Sequence, residues 1–452
     1  HAPIGTLHAF ARRMLNDFPV AAGLPPGFTV LDELESHLAF EERWESLLDR
    51  LLDEPEPDGG VAEGGSELVE LCQLDRFDLH GGGRRVAASF HDNWDLVDER
   101  VDRSDPPTWT FDDDPFLRQV LVLADTPCPP GDAQAERLAE LRSLAEAALA
   151  DDRLGVRVAQ LELIEDRLRK TKRTGAKKNW QQLSFDPDDL TRLREAQAAL
   201  ADDAVVLLDQ VRERRVRVLG AIVGRWVLEG ALKRAASGTI EFHDLLVLAR
   251  RLVATHPAIR RLLHDRYQRI LLDEFQDTDP IQLEIAVRLA AEPTAAEHET
   301  DWSALRPLPG RLFIVGDPKQ SIYRFRRADI AQYLRAADQI GADRELLTAN
   351  FRSSRAVLDW VNGVFAEVIQ ERPDVQPAYQ RLSPNRRHHI EHGSVTVFGV
   401  AEHDDLGSRK ADEIRRREAS DAADAVATAL SDGWEVTDRG ELRRCRPGDI
   451  AV

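Results

Sequence analysis

The spacing of apolar residues predicts helices through most of the first half of the chain. Leucine and alanine recur at intervals of three and four from Asp132 to Lys170, as on the buried face of a helix. A second long helix is predicted from Asp186 to Ala236, where Pro187 suits the first helical position because no backbone N–H is needed there. The segments TLHAFARRMLNDF and TVLDELE predict two earlier helix starts.

Beyond Gly238 the pattern changes to short apolar runs that end abruptly in polar residues. The runs in RYQRILLDEFQD and PGRLFIVGDPKQ predict strands buried on both faces of a parallel sheet. ELLTANFRSS predicts another strand, and RAVLDWVNGVFAEVI and REASDAADAVATAL predict helices. GSVTVFGV and the final DIAV predict further strands. The fold class expected is α/β, with parallel-sheet domains and a large helical insertion, and ligands at the carboxyl ends of the strands.

Composition narrows the class of protein. The chain has 452 residues, with 60 Lys and Arg against 80 Asp and Glu, so its net charge of −20 argues against a polybasic protein but leaves room for a local basic groove. Three separate cysteines without a CxxC pair argue against a disulfide scaffold or a zinc finger and favour a reducing compartment, the cytoplasm. Charges interrupt the most apolar stretch, 216–232, so no membrane span is expected.

One acidic run is expected to be a solvated surface segment. Between Asp92 and Asp114 there are nine acidic residues and two basic ones, with two prolines among them.

LLDEFQDTDPIQ places two adjacent carboxylates, Asp273 and Glu274, at the end of an apolar strand. Such a pair can hold hydrated Mg²⁺ and polarise an attacking water, as hydrolysis of a nucleoside triphosphate requires. Acid pairs at strand ends are also common as helix caps, so the pair alone is a weak signal.

RLFIVGDPKQSIYRFRRAD is more specific. Asp317 ends a strand, and the neutral amide of Gln320 can hydrogen-bond a phosphate oxygen or position a water. Tyr323 and Phe325 then alternate with arginines, among them Arg326, a pattern that suits stacking on unpaired bases beside a phosphate backbone. The alternative is an ordinary amphipathic segment with core aromatics.

LLTANFRSS supplies Phe351 and Arg352 after another strand. The arginine could reach the γ-phosphate of a bound nucleotide, although a surface salt bridge would explain the motif if it stood alone.

The order and spacing of these segments resemble motifs II, III and IV of the superfamily 1 DNA helicases, the UvrD/Rep and RecB/AddA group. IGTLHAFARRML resembles the DNA-contacting motif Ib, and GTIEFHDLLVLARRLV the segment that re-enters the first motor domain. LPPGFTVLDELE, PAYQRLSP and RPGDIAV look closer to RecB/AddA than to UvrD. The resemblance spans nearly the whole chain and is most specific between about 239 and 365.

The resemblance implies an ATP- and Mg²⁺-dependent helicase that moves 3′ to 5′ along single-stranded DNA and acts in repair and recombination. Asp273 would assist magnesium binding, and Glu274 would activate the hydrolytic water. Gln276 and Gln320 would couple the γ-phosphate to the DNA-bound state, with Asp317 beside them. Arg352 would act as an arginine finger, and Phe351 would pack on adenine. The DNA-contacting residues implied are His8, Phe10, Tyr323, Phe325 and Arg326.

The resemblance also implies a division into domains. Residues 1–36 and 237–345 would form the first RecA-like motor domain (1A), 37–236 a helical insertion (1B), and 346–452 part of the second motor domain (2A). Single-stranded DNA and duplex junctions or ends are the expected partners. RecB/AddA relatives also work beside a second large helicase–nuclease chain, whereas UvrD-like ones can act alone or as dimers.

The Walker A loop, GxxxxGK[ST], does not occur, since no Gly-Lys dipeptide is present in the chain. We therefore expect the sequence to be a fragment of a longer helicase that lacks this loop and motifs V and VI, and to have negligible ATPase activity by itself. The alternative is a non-enzymatic DNA-binding remnant used for assembly.

The segment from Arg167 to Lys178, RLRKTKRTGAKK, has seven basic residues and no acid, and a DNA-backbone contact is expected there. Replacing Lys172, Arg173, Lys177 and Lys178 together by alanine should flatten the salt dependence of DNA binding, because fewer counterions would be released. The measurement is the slope of log affinity against log salt concentration. An unchanged slope would leave an exposed loop as the better interpretation.

Overall fold

The computed structural model describes residues 4–52, 65–74, 76–170, 175–182, 186–321, 340–373, 375–385, 394–397, 410–438 and 441–452. The chain divides into two compact units, His1–Leu252 and Val253–Val452.

The first unit is mostly helical, as the apolar spacing predicts. Its helices are α1 (Leu7–Asp17), α2 (Glu33–Leu52), α3 (Gly65–Leu74), α4 (Arg84–Asp92), α5 (Trp94–Arg100), α6 (Asp114–Ala124), α7 (Ala133–Leu149), α8 (Leu154–Arg169), α9 (Lys177–Gln182), α10 (Pro187–Ser237) and α11 (Phe242–Thr255), whose last residues extend into the second unit. Its strands are β1 (Thr29–Val30) and β2 (Thr239–Ile240).

The long helix α10 organises the core of the first unit. It has 51 residues and packs against α8, α3, α5 and α6. Its start confirms the sequence prediction, because Pro187 follows the N-cap Asp186, whose carboxylate accepts a hydrogen bond from the Asp188 amide at 2.9 Å. Fully buried leucines of α8, such as Leu161 and Leu168, lie in the same core.

Strands β1 and β2 pair in parallel, with Thr29 opposite Thr239 and Val30 opposite Ile240. The link between α10 and β2 is Gly238, which has a φ of 73° in the left-handed region that favours glycine. A Cβ at this position would overlap the ring of Pro25. Gly238 therefore ends α10 and lets the chain turn directly into β2.

The described residues of the second unit form three further strand pairs. Its helices are α12 (Pro257–Arg266), α13 (Pro280–Ala290), α14 (Pro293–His298), α15 (Arg355–Val368) and α16 (Ala411–Ser431). Its strands are β3 (Ile270–Leu272), β4 (Leu312–Ile314), β5 (Ala349–Asn350), β6 (Ser383–Pro384), β7 (Glu435–Asp438) and β8 (Glu441–Arg444). The pairs β3–β4 and β5–β6 are parallel, and β7–β8 is antiparallel.

The prediction that the strands at DEFQD and GDPKQ are buried on both faces is wrong. Leu271 of β3 lies opposite Phe313 of β4, and these side chains are 74 % and 49 % exposed. Leu272 is buried, as is α13, which packs beside β4. No described residue covers the face that carries Leu271 and Phe313. The β3–β4 pair therefore has one buried face and one exposed face.

Two other strand predictions and the surface prediction also need correction. Within GSVTVFGV the described residues, 394–397, are not in a strand, and neither are 450–452 of DIAV. In the acidic run, Asp95 and Asp113 are fully buried. Asp95 pairs with His243 at 3.0 Å, and Asp113 accepts a 2.7 Å hydrogen bond from Arg157, so each buried charge has a partner.

Among the described residues, no helix is long and apolar enough to cross a membrane. The division into domains 1A, 1B and 2A stays a prediction.

The packing of α10 gives a test with a matched control. At Gly230 an added Cβ would overlap the guanidinium of Arg43, which donates to the Trp226 carbonyl at 2.7 Å and lies 4.4 Å from the centre of the Trp226 ring. Gly230→Ala should therefore destabilise the protein by roughly 1–3 kcal/mol. Gly220, in the same helix, has nothing within 4 Å of an added Cβ. Gly220→Ala should stabilise by about 0.5–1 kcal/mol, since alanine loses less backbone entropy.

The measurement is the thermal unfolding midpoint of both variants and the wild type. Equal shifts for the two substitutions would contradict this account of Arg43.

Candidate nucleotide site and DNA-contacting surface

The ends of β3 and β4 lie side by side. The Val315 amide donates to the Leu272 carbonyl at 2.8 Å, and the Phe275 amide donates to the Val315 carbonyl at 3.0 Å. Each strand then turns into a short 3₁₀ helix, Phe275–Asp277 after β3 and Pro318–Gln320 after β4. Because the strands are parallel, the polar residues that follow them reach the same edge, as the sequence predicts.

Gln276 joins the two strand ends through its side-chain amide. Its Oε1 accepts a hydrogen bond from the Asp317 amide at 3.0 Å, and its Nε2 donates to Oε2 of Glu274 at 2.6 Å. The Ser321 hydroxyl also donates to the Gln276 carbonyl at 3.2 Å. Gln276 is only 3 % exposed, so its amide is held in one orientation. The predicted catalytic carboxylate and the loop after β4 are thus linked by a single buried side chain.

Asp317 organises its own loop. Its carboxylate accepts from the backbone amide of Lys319 at 3.0 Å and from Nε2 of Gln320 at 3.2 Å, and it pairs with Nζ of Lys319 at 2.7 Å. Burial alone would raise the pKa of Asp317, but the hydrogen bonds from Lys319 and Gln320 outweigh burial and hold the pKa below its ordinary value. Asp317 is therefore an anion whose oxygens are already used by its neighbours.

Asp273 and Glu274 are exposed at the end of β3. Glu274 has a φ of 52°, in the left-handed region that few residues other than glycine adopt, and its amide donates to Oδ1 of Asp273 at 3.0 Å. Among the described residues, no group of three or more His, Cys, Asp or Glu side chains could hold a metal ion. Two exposed carboxylates still fit Mg²⁺, because this ion keeps several waters and takes its other ligands from phosphates.

Phe351 and Arg352 follow a different strand, β5. The Asn350 side-chain oxygen accepts from the amides of Arg352 and Ser353 at 2.9 and 2.8 Å, which shapes the turn after β5. Phe351 is 63 % exposed, and Arg352 is exposed too. The structure brings Asp273, Glu274, Gln276, Asp317 and Gln320 together, while Phe351 and Arg352 lie at the end of the separate β5–β6 sheet.

Several predicted DNA-contacting residues lie outside the described residues, namely Tyr323, Phe325, Arg326, Lys172 and Arg173. Lys177 and Lys178 are described and exposed at the start of α9, with Lys177 at 4.0 Å from Asp188.

The start of the basic run is partly neutralised by ion pairs. Arg167 pairs with Glu140 at 2.9 Å, and Lys170 pairs with Asp166 at 2.7 Å. Trp180, just after the run, is fully buried and belongs to the core.

His8 and Phe10 lie on α1, half-buried. The ring of His8 stacks on Phe242, with centroids 3.9 Å apart and planes at 17°. Phe242 is 58 % exposed, although it is the first residue of α11. This stacked pair of His8 and Phe242, which we call the platform, presents an aromatic ring to solvent.

Sequence reasoning singled out His8 but missed Phe242 and Lys319. Phe242 stands in the quoted GTIEFHDLL segment, where an aromatic residue just before an amphipathic helix was the available signal. Lys319 stands between Asp317 and Gln320 in the quoted GDPKQ motif. Its role depends on its ion pair with Asp317, which only the geometry of the turn shows.

A comparison with known families matches residues 1–341 to the UvrD/REP helicase N-terminal domain. The match covers most of the chain, and the chain belongs to this family.

Curated relatives come from the helicase–nuclease group. An ATP-dependent helicase/nuclease chain from Geobacillus kaustophilus is 28 % identical over 423 residues, which cover 82 % of this chain and 32 % of the relative. The protein of the same name from Ligilactobacillus salivarius is 30 % identical over 217 residues, 46 % of this chain and 15 % of the relative. The RecB protein of the RecBCD enzyme of Mycobacterium tuberculosis H37Rv is 32 % identical over 219 residues, 47 % of this chain and 18 % of the relative. The chain thus spans about a third or less of the length of these relatives.

Family membership implies a RecA-like P-loop fold and, in general, the use of ATP and Mg²⁺. The described structure agrees with the fold, since it is mostly helical with small parallel sheets.

The environment of His8 predicts a pH dependence of stability. Burial, and then the nearby His243, lower the pKa of His8 from 6.5 to about 4. Because the unfolded chain binds this proton more tightly, the stabilisation is complete above pH 6.5 and is lost as the pH falls towards 4. At pH 5 the loss should be about 1 kcal/mol, because solvent screens part of the effect at this half-buried ring, and His8→Gln should remove it.

The measurement is denaturant unfolding at pH 7 and pH 5, with His80→Gln, at an exposed position in the same unit, as the control. If wild type and His8→Gln lose equal stability on acidification, the burial of His8 does not have this effect.

Proposed function

We propose that this chain works as part of an ATP-dependent DNA helicase that translocates 3′ to 5′ on single-stranded DNA in repair and recombination. Its membership of the UvrD/REP family supports this, and so do relatives named as helicase/nuclease and RecBCD components. Single-stranded DNA and duplex junctions or ends are the proposed substrates. A second helicase–nuclease subunit is the proposed partner.

The observation that carries the proposal is the bridge made by Gln276. A motor must report the state of its nucleotide to its DNA-binding segment. Gln276 contacts the Glu274 carboxylate with one end of its amide and the Asp317 backbone with the other. Gln276 is buried. If Glu274 moves, the Gln276 amide must therefore move with it or lose a buried hydrogen bond, and that loss is costly. The loop that would respond leads directly into Tyr323, Phe325 and Arg326.

Each residue of the nucleotide site has a proposed part in hydrolysis. Bound Mg²⁺ would neutralise charge on the β- and γ-phosphates. Asp273 would bind a water of the metal's hydration shell or the ion itself. Glu274, held by Gln276, would orient the attacking water and accept its proton. Gln320, fixed by Asp317, would sense the γ-phosphate. Arg352 would stabilise the charge of the transition state, and Phe351 would pack on the adenine.

The platform of Phe242 and His8 is the proposed DNA contact in the first unit. One face of the Phe242 ring is covered by His8, and the side chain is still more than half exposed. An unpaired base can stack on such a surface regardless of its sequence, because every base has a π face. Phe10 on α1, and Lys177 and Lys178 on α9, are proposed contacts to the same strand of DNA.

The test is DNA-stimulated ATP hydrolysis and strand unwinding by the protein translated from the complete reading frame that contains this chain. Glu274→Gln should lower kcat about 10²–10⁴-fold because the water loses its proton acceptor. Arg352→Ala should lower it about 10³–10⁵-fold. Neither change should weaken binding of single-stranded DNA.

The matched control is Glu297→Gln, which removes a carboxylate paired with Arg261 on the surface of α14 and should leave kcat unchanged. A wild-type protein that binds DNA but shows no hydrolysis above the Glu274→Gln variant would instead favour the non-enzymatic DNA-binding remnant. If Arg352→Ala kept more than about a tenth of the activity, the arginine-finger role would be wrong.

A further inference from the structure

The first turn of α11 is held at several points around the platform. Glu241, just before the helix, is buried and pairs with His91 of α4 at 2.8 Å. His243 pairs with the fully buried Asp95 of α5 at 3.0 Å. Asp244 is also buried, whereas Phe242 is exposed. Of the four consecutive residues 241–244, three are buried or paired with neighbouring helices, whereas Phe242 presents its ring to solvent.

Asp244 accepts hydrogen bonds from Arg234, Trp94 and the backbone of Glu241. Its Oδ2 accepts from Nε of Arg234 at 2.8 Å and from the Glu241 amide at 2.9 Å. Its Oδ1 accepts from Nη2 of Arg234 at 3.0 Å and from Nε1 of Trp94 at 2.7 Å. One carboxylate therefore joins α10, α5, the end of β2 and the start of α11.

This carboxylate is stable as an anion in spite of its burial. Burial alone would raise the pKa of Asp244, but the hydrogen bonds and charge of Arg234 lower it below the ordinary value. A two-pronged bond between a guanidinium and a carboxylate also fixes the relative orientation of both groups. The start of α11 is consequently fixed in direction as well as in distance from the last turn of α10.

Helix α10 connects the Arg234–Asp244 salt bridge to a distant part of the first unit. With 51 residues it measures about 77 Å, and Arg234 lies in its last turn. Its other end lies beside α9, which carries Lys177 and Lys178, since Lys177 is 4.0 Å from Asp188 in the first turn of α10. Two proposed DNA contacts, the platform and the lysines of α9, are therefore connected to opposite ends of one helix.

We propose that Asp244, through Arg234, is a positioning residue for DNA binding, which fixes the Phe242–His8 platform to the end of α10 so that the exposed ring meets a base in one orientation. This inference rests on the proposed function, because it assumes that Phe242 stacks on a base. Asp244 itself has no contact with DNA in this proposal and acts only through Phe242.

A purely structural role for Asp244 would make different predictions. Loss of a buried, fully bonded carboxylate destabilises a protein wherever it occurs. A positioning role should in addition change how well the protein distinguishes DNA that carries bases from abasic DNA. The decisive quantity is the affinity of the 452-residue chain for oligo(dT) divided by its affinity for an oligonucleotide of the same length made of abasic sites. Both affinities are measured by fluorescence anisotropy below the unfolding temperature of each variant.

Four variants define the experiment. Phe242→Ala should lower the affinity ratio about 5–100-fold, as expected when a stacking surface is removed. Asp244→Asn, which puts an amide where Arg234 and Trp94 need acceptors, should lower it in the same direction and by at least about 3-fold. The double variant should be no worse than Phe242→Ala alone, because Asp244 acts through that ring. Arg234→Lys keeps the charge but loses the two-pronged bond, so it should give an intermediate ratio.

Asp113→Asn is the matched control. Asp113 is, like Asp244, a fully buried carboxylate that is bonded to an arginine, through Oδ1 to Arg157 at 2.7 Å, but it lies at the start of α6. It should lower the unfolding temperature and leave the affinity ratio unchanged. If Asp244→Asn does not fold, Arg234→Lys tests the same link.

The outcomes separate the two proposals. If Phe242→Ala lowers the ratio and neither Asp244→Asn nor Arg234→Lys does, Asp244 is structural and this inference is overturned, while the platform stands. If Phe242→Ala leaves the ratio unchanged, the platform itself is wrong, and the inference falls with it. An equal drop in Asp113→Asn and Asp244→Asn would also overturn the inference, since it would show a general effect of destabilisation.

Discussion

The parallel pairing of β1 with β2 constrains the whole first unit. Thr29 donates from its amide to the Gly238 carbonyl at 2.8 Å, and Leu31 donates to Ile240 at 2.9 Å, although all helices from α2 to α10 lie between these strands in the sequence. The intervening chain must therefore leave and return at neighbouring points. Three features meet this requirement at the junction of α10 and β2. They are the length of α10, its end at Gly238, and the salt bridge between Arg234 and Asp244.

The same geometric rule builds the candidate nucleotide site in the second unit. Two parallel strands end side by side, and in the loops that follow them side chains accept hydrogen bonds from backbone amides. Gln276 does so for the Asp317 amide, and Asp317 does so for the Lys319 amide. The groups that organise the loops are thereby the groups gathered in the candidate site. This dual use explains why the site is compact even though β3 and β4 have three residues each.

The sequence predicted most of what depends on local rules, and missed what depends on distant partners. The start of α10 at Pro187 and the cluster of polar residues after β3 and β4 follow from capping preferences and from strand direction. The burial of Asp95 does not, because its partner His243 is 148 residues away. The stack of His8 on Phe242 was missed for the same reason. The open face of β3, with Leu271 exposed, was missed because an apolar run does not specify what covers it.

The left-handed backbone conformation of Glu274 sets the stability of the fold against the presence of this carboxylate. A residue other than glycine in this conformation costs the fold about 1–3 kcal/mol, which the strand pairing and the Gln276 bond must sustain. Glycine at this position would relieve the strain and at the same time delete the carboxylate. Selection for stability alone would favour glycine here, so the fold keeps the Glu274 carboxylate at a cost to its own stability.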